Sequence, residues 1–354
     1  MAPSQMKALV SAPDHTTEVK EVSVPKPEAG EVLIKVSTVT LNPTDWKHAA
    51  FMSTPSQILG CDFCGTVQDS NGTDLAVGTK VAGFVHGGKY EDRGSFAEYL
   101  KARADTLSKV PANVDEAVAS SVGIAGYTAA QALFSRLELN LPSKTDTLPA
   151  LDSNSPKLLV WAGSSSVGQY AVQLGRIAGY HVITTASPKN HEYLKSIGAS
   201  ETYDYRQEAL PELISKQNPT LSGALDCISE GGTQSLCARS LGSSGGTVVV
   251  LLKPEKEAIE VRNDVKIVHT LVYSVLGHPF AYGKAAYDEA TVSAENAKLQ
   301  AFTSQGIFRH LFASGLLRGN VIKHMDGGLS GIPQGFKYMQ EGKVSLEKLA
   351  YRIG

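Results

Sequence analysis

Cysteine is scarce: Cys61, Cys64, Cys227 and Cys237 are the four in a chain of 354 residues. That is too few for a disulfide-stapled scaffold. Long apolar runs are absent as well. The longest, such as Thr247–Leu252, fall far short of the roughly 20 residues of a membrane span. Neither sign of charge dominates. Lys and Arg total 33 and Asp and Glu 35, for a formal net charge of −2. No basic stripe interleaved with aromatics appears, which argues against nucleic acid. The opening Met1-Ala2-Pro3-Ser4-Gln5 has no apolar leader core, and the closing Arg352-Ile353-Gly354 matches no organellar address. The expectation is a soluble, cytoplasmic globular protein.

What is present supports a sizeable core, with 42% apolar and 19% charged residues. The length predicts about two domains. Up to Val110 the chain reads as β-rich. Val32, Ile34 and Val36 alternate with Lys35 and Ser37, and Pro25, Pro27, Gly30, Pro43, Gly60, Gly65, Gly78 and Gly83 punctuate the segment. Short strands divided by turns predict a barrel-like β domain. From Val118 the spacing becomes helical, at Ala129, Ala130, Ala132, Leu133 and Leu137, and Leu141–Pro156 reads as an exposed linker.

Apolar strands then alternate with helices. Strands are expected at Leu158–Ala162, His181–Ala186, Ala224–Ile228, Thr247–Leu251 and Lys266–Leu271, with helices such as Val167–Ala178 and His191–Ile197 between them. That rhythm predicts an α/β fold with a doubly wound parallel sheet. A helix near Ala294–Gly315, another near Pro333–Gln340 and a strand near Lys348–Arg352 do not extend it. The expected division is a discontinuous domain, 1–155 with 291–354, around an inserted one, 156–290.

Leu158–Ala162 runs into Gly163-Ser164-Ser165-Ser166-Val167-Gly168, a dinucleotide fingerprint with Ser165 in the middle glycine position. Gly163 permits the tight turn and Gly168 close helix–strand packing, and the helix start suits a pyrophosphate. The plain alternative is an ordinary Gly-Ser turn. A site for the non-phosphorylated cofactor places an acid about 20 residues on. Ile183-Thr184-Thr185-Ala186-Ser187-Pro188-Lys189-Asn190 carries none. Ser187, Lys189 and Asn190 offer donors and positive charge for a 2′-phosphate, so NADPH is expected over NADH. The plain alternative for Lys189 is a solvated lysine.

Cys61-Asp62-Phe63-Cys64 has the C-x-x-C spacing, which raises zinc or redox chemistry. A structural zinc needs four ligands, and Cys227 and Cys237 lie far off in the α/β part. The expectation is no metal and two small buried packing residues. His48 and His86 lie near candidate site loops and read as surface or supporting groups.

Several landmarks in order carry a family resemblance: Gly30–Val36, Asn42-Pro43-Thr44-Asp45, Gly60–Val67, Gly78-Thr79-Lys80-Val81, Gly94–Tyr99 and the serine-rich fingerprint. Together they resemble the medium-chain dehydrogenase/reductase superfamily, which implies a GroES-like β-rich domain beside a Rossmann domain. Zinc members have Cys where this chain has Asn42 and a His-Glu pair where it has Cys61-Asp62, so the chain is similar to the zinc-free branch. Asn42–Lys47, Gly163–Gly168, Ala186–Asn190, Asp204-Tyr205-Arg206 and Gly342–Leu349 look like the fungal trans-acting enoyl reductases that partner polyketide synthases.

The resemblance implies NADPH contacts. Asn42, Thr44, Asp45, Trp46 and Lys47 would lie by the nicotinamide side. Gly163, Ser164, Ser165, Ser166 and Val167 would hold the pyrophosphate. Ser187, Pro188, Lys189 and Asn190 would hold the 2′-phosphate, and Tyr205 would lie by the adenosine. Leu251, Leu252, Leu349 and Ala350 would close over the nicotinamide end. Substrate contacts would fall on Thr128, Ala129, Ala130, Gln131, Ala132, Leu133, Phe134 and Ser135, and on Leu271, Val272, Tyr273, Ser274 and Val275. Gly126-Tyr127 reads as an insertion before Thr128, and Ala350 stands where a larger apolar residue is common.

Lys47 and Thr128 are the expected catalytic pair, positioning the nicotinamide ribose and the substrate carbonyl. The plain alternative for Lys47 is pairing with a cofactor phosphate or with Asp45. The expected activity is enoyl reduction on a carrier-bound polyketide thioester, by a monomer. The alternatives are a stand-alone quinone or enone reductase and a non-catalytic NADPH-binding protein.

Overall fold

The computed structural model describes residues 2–143 and 145–353. Met1, Lys144 and Gly354, on which parts of the end and linker readings fall, lie outside the described residues. The chain divides into two compact units.

The first unit comprises Met1–Ile124, Tyr273–Ala313 and Gly319–Gly354. Its main sheet has seven strands, passing through Val321–Met325, Glu347–Arg352, Glu31–Thr40, Asp62–Asp69, Lys80–Phe84 and Ser108–Lys109, with Tyr99–Arg103 paired to Glu31–Thr40 besides. Val32, Ile34, Val36 and Val39 from the long strand join Phe63, Val81, Phe96, Leu100 and Tyr351 in one buried apolar cluster. Register matters more than packing for the site. Thr40 pairs with Asp62 on one side and with Ala350 on the other. A strand from the middle of the unit and the last strand of the chain thereby flank the loop that follows Thr40.

The second unit comprises Ala125–Val272 and Ser314–Arg318. Its sheet has six strands in the order Ala199–Tyr203, His181–Thr185, Lys157–Trp161, Gly223–Asp226, Gly246–Val250, Val265–His269, and every neighbouring pair is parallel. This is the doubly wound sheet that the alternation predicts. Helices Ser166–Ile177, His191–Ser196, Leu210–Gln217 and Thr233–Ser240 separate its strands. The limits expected from composition, 155/156 and 290/291, fall inside these units.

Three readings need correction. The sixth strand, Ala199–Tyr203, was not expected: it is an edge strand with only Ala199 buried, so no apolar run marks it. The helix expected at Ala294–Gly315 is two helices, Glu289–Leu299 and Ile307–Ala313, parted by turns that end on Gly306 at φ +87°. The helix expected near Pro333–Gln340 starts earlier and spans Gly328–Gln340 with Pro333 inside it. Among the described residues no helix is long and apolar enough to cross a membrane.

Candidate functional site

In the first unit the strand Glu31–Thr40 leads through Leu41 into Asn42 and the short helix Pro43–Lys47. Pro43 occupies the first helical position, where its missing N–H costs nothing. The Asp45 side chain reaches back and accepts the Asn42 backbone N–H at 2.6 Å, half of a capping box. The Leu41 N–H donates to the Leu349 carbonyl at 2.9 Å. Three expected cofactor residues, Asn42, Asp45 and Leu349, are thus brought together by hydrogen bonds.

Beneath this loop lies a charged cluster that sequence reasoning missed. Lys348 is buried; its Nζ donates to Asn42 Oδ1 at 2.6 Å and sits 3.0 Å from Asp62 Oδ2. Asp62 also accepts the Thr40 hydroxyl at 3.1 Å and the Ile124 N–H at 2.7 Å. The only signal for Lys348 was its alternation with Leu349 and Tyr351, which sends it to the other face of the last strand. Asp45 is fully buried beside this pair, and among the described residues no N–H or O–H donates to its Oδ1. Burial, reinforced by the nearby Asp62 carboxylate, pushes its pKa up to about 7.

Tyr273, expected among substrate contacts, sits with the cofactor-side loop: its hydroxyl lies 2.7 Å from Thr44 Oγ1 and 3.7 Å from Cys61 Sγ. His48 Nδ1 donates to the Thr44 carbonyl at 2.8 Å, which fixes the proton on that nitrogen. The surface reading of the two histidines does not hold, because both are buried, and among the described residues neither Nε2 has a partner. Burial lowers both pKa values, His86 well below the ordinary one, so they are supporting groups in the neutral form. The His86 ring stacks on Tyr273 at 3.8 Å. Together with Tyr90 and Phe280 they wall a cavity of about 30 Å³, room for about one water.

Lys47 is half-buried, with its ammonium 5.7 Å from the centre of the Trp46 ring. Among the described residues no carboxylate lies within 4.0 Å of it, and Asp45 is buried and turned to Asn42. The alternative pairing of Lys47 with Asp45 is therefore absent.

The second unit gathers its own expected residues at the carboxyl ends of its strands, where open α/β sheets bind ligands. Ser165 caps helix Ser166–Ile177 by accepting the Gly168 N–H at 3.1 Å, and its hydroxyl donates to the Ala162 carbonyl at 2.8 Å. Ser165 therefore holds the turn and has no hydroxyl hydrogen left for a phosphate. A Cβ on Gly163 would meet Thr184 Oγ1 at 2.1 Å, and one on Gly168 the Ala162 oxygen at 2.3 Å, so this cradle admits only glycine. Next to it, strand His181–Thr185 ends in the turn Ser187–Asn190, with Lys189 exposed and, among the described residues, without a carboxylate in reach. Asp204 is taken by Arg206 at 2.8 Å, which leaves Tyr205 exposed beside it. Leu251 donates its N–H to Ser229 Oγ at 2.8 Å, and Leu252 is partly exposed. Thr128–Leu133 are buried, and the Gln131 amide oxygen accepts the Thr270 hydroxyl at 2.7 Å, which joins that segment to Leu271 and Val272. A dinucleotide fits these residues: a Cβ at Gly163 or Gly168 would fill the cradle, and among the described residues Lys189 has no carboxylate within 4.0 Å.

Comparison with known proteins agrees with the fold of both units. The alcohol dehydrogenase GroES-like domain family matches residues 28–112 and the zinc-binding dehydrogenase family residues 166–290. The chain belongs to the medium-chain dehydrogenase/reductases, a superfamily of oxidoreductases that typically bind a nicotinamide cofactor. Within it the chain belongs to the trans-enoyl reductase family. It is 33% identical to the trans-enoyl reductase ACTTS2 of Alternaria alternata over 359 residues, covering 98% of each chain. It is 32% identical to the trans-enoyl reductase thnE of Trichoderma harzianum, covering 99% of this chain and 97% of that one. The fold is shared with the CurK enoyl reductase, at a TM-score of 0.74 and 19% identity over 99% of this chain and 100% of that one. It is shared too with a putative zinc-dependent alcohol dehydrogenase from Rhizobium etli, at 0.77 and 22% identity over 99% of each.

The zinc in one family's description does not fit the residues here. Among the described residues no three His, Cys, Asp or Glu side chains come together as ligands. Asn42 and Asp62, where the resemblance to zinc members would put ligands, are engaged by the Lys348 ammonium, and Cys61 is a buried thiol held far above its ordinary pKa by burial. Cys64 is likewise buried, its pKa pushed up to about 12.

Proposed function

We propose that this protein is an NADPH-dependent enoyl reductase that reduces the α,β-double bond of an acyl thioester carried by a polyketide synthase. The observation that carries the reading is full-length kinship, about one-third identity to trans-enoyl reductases over 98% of the chain. The Lys348–Asp62–Asn42 cluster supports a metal-free chemistry, because an ammonium already engages the Asn42 and Asp62 side chains.

Enoyl reduction needs hydride at the β-carbon, stabilisation of the charge that develops on the thioester oxygen, and a proton at the α-carbon. NADPH, when bound, supplies the hydride. Ser164, Ser166 and Val167 at the helix start would hold the pyrophosphate, and Ser187, Lys189 and Asn190 the 2′-phosphate. The Lys47 ammonium, with no carboxylate within 4.0 Å among the described residues, is suited to steady the ribose or the developing oxyanion, and the Thr128 hydroxyl is the second donor assigned to the carbonyl.

The test is NADPH oxidation with crotonyl-pantetheine beside a panel of quinones. Turnover on the thioester with little on quinones is expected. Faster quinone reduction would replace this reading with a quinone reductase, and binding without oxidation on either panel with a non-catalytic protein.

A further inference from the structure

Tyr273 is the buried end of a short chain of hydroxyls. It belongs to the first unit, in the turn Val272–Leu276, and is only 4% exposed. Its ring is held on two sides. His86 stacks on it at 3.8 Å with the planes 8° apart, and His48 meets it edge-on at 6.0 Å. This packing sets the hydroxyl 2.7 Å from Thr44 Oγ1, an ordinary length for an O–H···O bond. Thr44 differs from Tyr273 in being half-buried, so its hydroxyl is the end of the chain nearer to accessible space.

The partners decide where the hydrogens lie. His48 Nδ1 carries a proton, because the Thr44 carbonyl that it meets at 2.8 Å can only accept. Thr44 Oγ1 lies 3.1 Å from the same nitrogen and finds no acceptor there. The Tyr273 hydroxyl faces two acceptors, Thr44 Oγ1 at 2.7 Å and the Cys61 sulfur at 3.7 Å, and sulfur is the weak one. The phenol therefore donates to Thr44. It keeps its hydrogen to do so, since burial holds the Tyr273 pKa well above the ordinary value. The Cys61 thiol can donate to the phenol oxygen in turn. Each of these buried hydrogens then has an acceptor, and the one left over belongs to Thr44. The reverse direction would turn the Thr44 hydrogen inward and leave that of the phenol to sulfur.

Resting on the enoyl-reductase reading, we propose that Tyr273 is a positioning residue: by donating to Thr44 Oγ1 it turns the Thr44 hydroxyl hydrogen outward, as a donor to an oxygen in the nicotinamide half of NADPH.

The test measures dissociation constants for NADPH and for adenosine 2′,5′-bisphosphate, which lacks the nicotinamide half. Tyr273→Phe keeps the ring and its stack on His86 and removes the donor. It should weaken NADPH binding about fivefold, the scale of one net hydrogen bond, and leave the bisphosphate within twofold. Thr44→Val should weaken NADPH to the same degree. Adding Tyr273→Phe to it should change nothing more, because Tyr273 acts through Thr44. Thr44→Ser keeps the hydroxyl and should bind NADPH as the wild type does. Unchanged NADPH affinity in Tyr273→Phe, an equal loss for both ligands, or a further loss in the double variant would overturn the proposal. A wild type that binds NADPH but reduces no thioester would fail the enoyl-reductase reading alone, and the same binding comparison would still decide the role of Tyr273. A wild type that does not bind NADPH would overturn both.

Discussion

The Lys348 ammonium lies 3.0 Å from the Asp62 carboxylate with both side chains out of water. A buried pair is weak evidence of net stability, but removing one partner strands a charge. In Lys348→Met, Asp62 would keep, among the described residues, the Thr40 hydroxyl and the Ile124 N–H as donors. The expected loss is about 3–5 kcal/mol in urea unfolding. Adding Asp62→Asn removes the stranded charge and should make the double variant more stable than Lys348→Met alone. A Lys348→Met midpoint equal to wild type would show that the pair does not hold the loop.

Asp45 gives a pH dependence with a defined sign. Its pKa rises from 3.8 to about 7 on folding, through burial first and the Asp62 charge second. The folded state therefore holds a proton that the unfolded state releases near pH 4. That contribution is fully present below the unfolded pKa and is lost as pH rises toward 7, where its cost is on the order of a few kcal/mol. Asp45→Asn keeps an oxygen for the Asn42 N–H and carries no charge. Its stability should vary less than that of the wild type between pH 4 and 7 in paired denaturation curves. Parallel curves would mean that Asp45 does not titrate in this range.

The two fingerprint glycines should respond differently to Ala. At Gly168 the new Cβ meets a backbone oxygen 2.3 Å away, which only movement of the turn relieves. At Gly163 it meets the Thr184 hydroxyl, itself donating to the Val160 carbonyl at 2.7 Å. Both variants should lose about 1–3 kcal/mol. Thr184→Ala should recover part of the Gly163→Ala loss and none of the Gly168→Ala loss, measured by thermal unfolding. Equal recovery at both positions would refute the steric account.

What the sequence made legible follows the physics of each element. Buried parallel strands such as Gly246–Val250 are runs of apolar residues and stand out. The edge strand Ala199–Tyr203 exposes most of its side chains and does not. Asn42–Lys47 and Gly163–Gly168 are legible because local backbone geometry demands Pro43 and the glycines in fixed places. The contact of Thr44 with Tyr273 joins residues 229 apart. No local pattern reports such a distance, and the same holds for Lys348 meeting Asn42 across 306 residues. His48 and His86 misled for a related reason: a lone histidine carries no periodic mark of burial, and only the fold sets the Tyr273 ring against one of them.

Lys189 and Lys47 separate cofactor choice from chemistry. Lys189 stands exposed at the end of the second strand of its sheet, with no carboxylate in that turn. If it holds a 2′-phosphate, Lys189→Ala removes a charge-assisted bond worth about 1.5–3 kcal/mol, an NADPH affinity loss of about tenfold or more, and leaves the weaker NADH affinity unchanged. Fluorescence titration with both cofactors measures this, and a loss shared equally by the two would remove Lys189 from the phosphate site. Lys47 is the converse case. Its ammonium has only the Trp46 face as a near partner among the described residues, so removing it strands no charge. Lys47→Ala should therefore fold and bind NADPH as the wild type does while turnover on crotonyl-pantetheine falls at least about tenfold, the scale of one lost transition-state contact. Turnover within twofold of wild type would exclude Lys47 from the chemical step and leave the carbonyl to another donor.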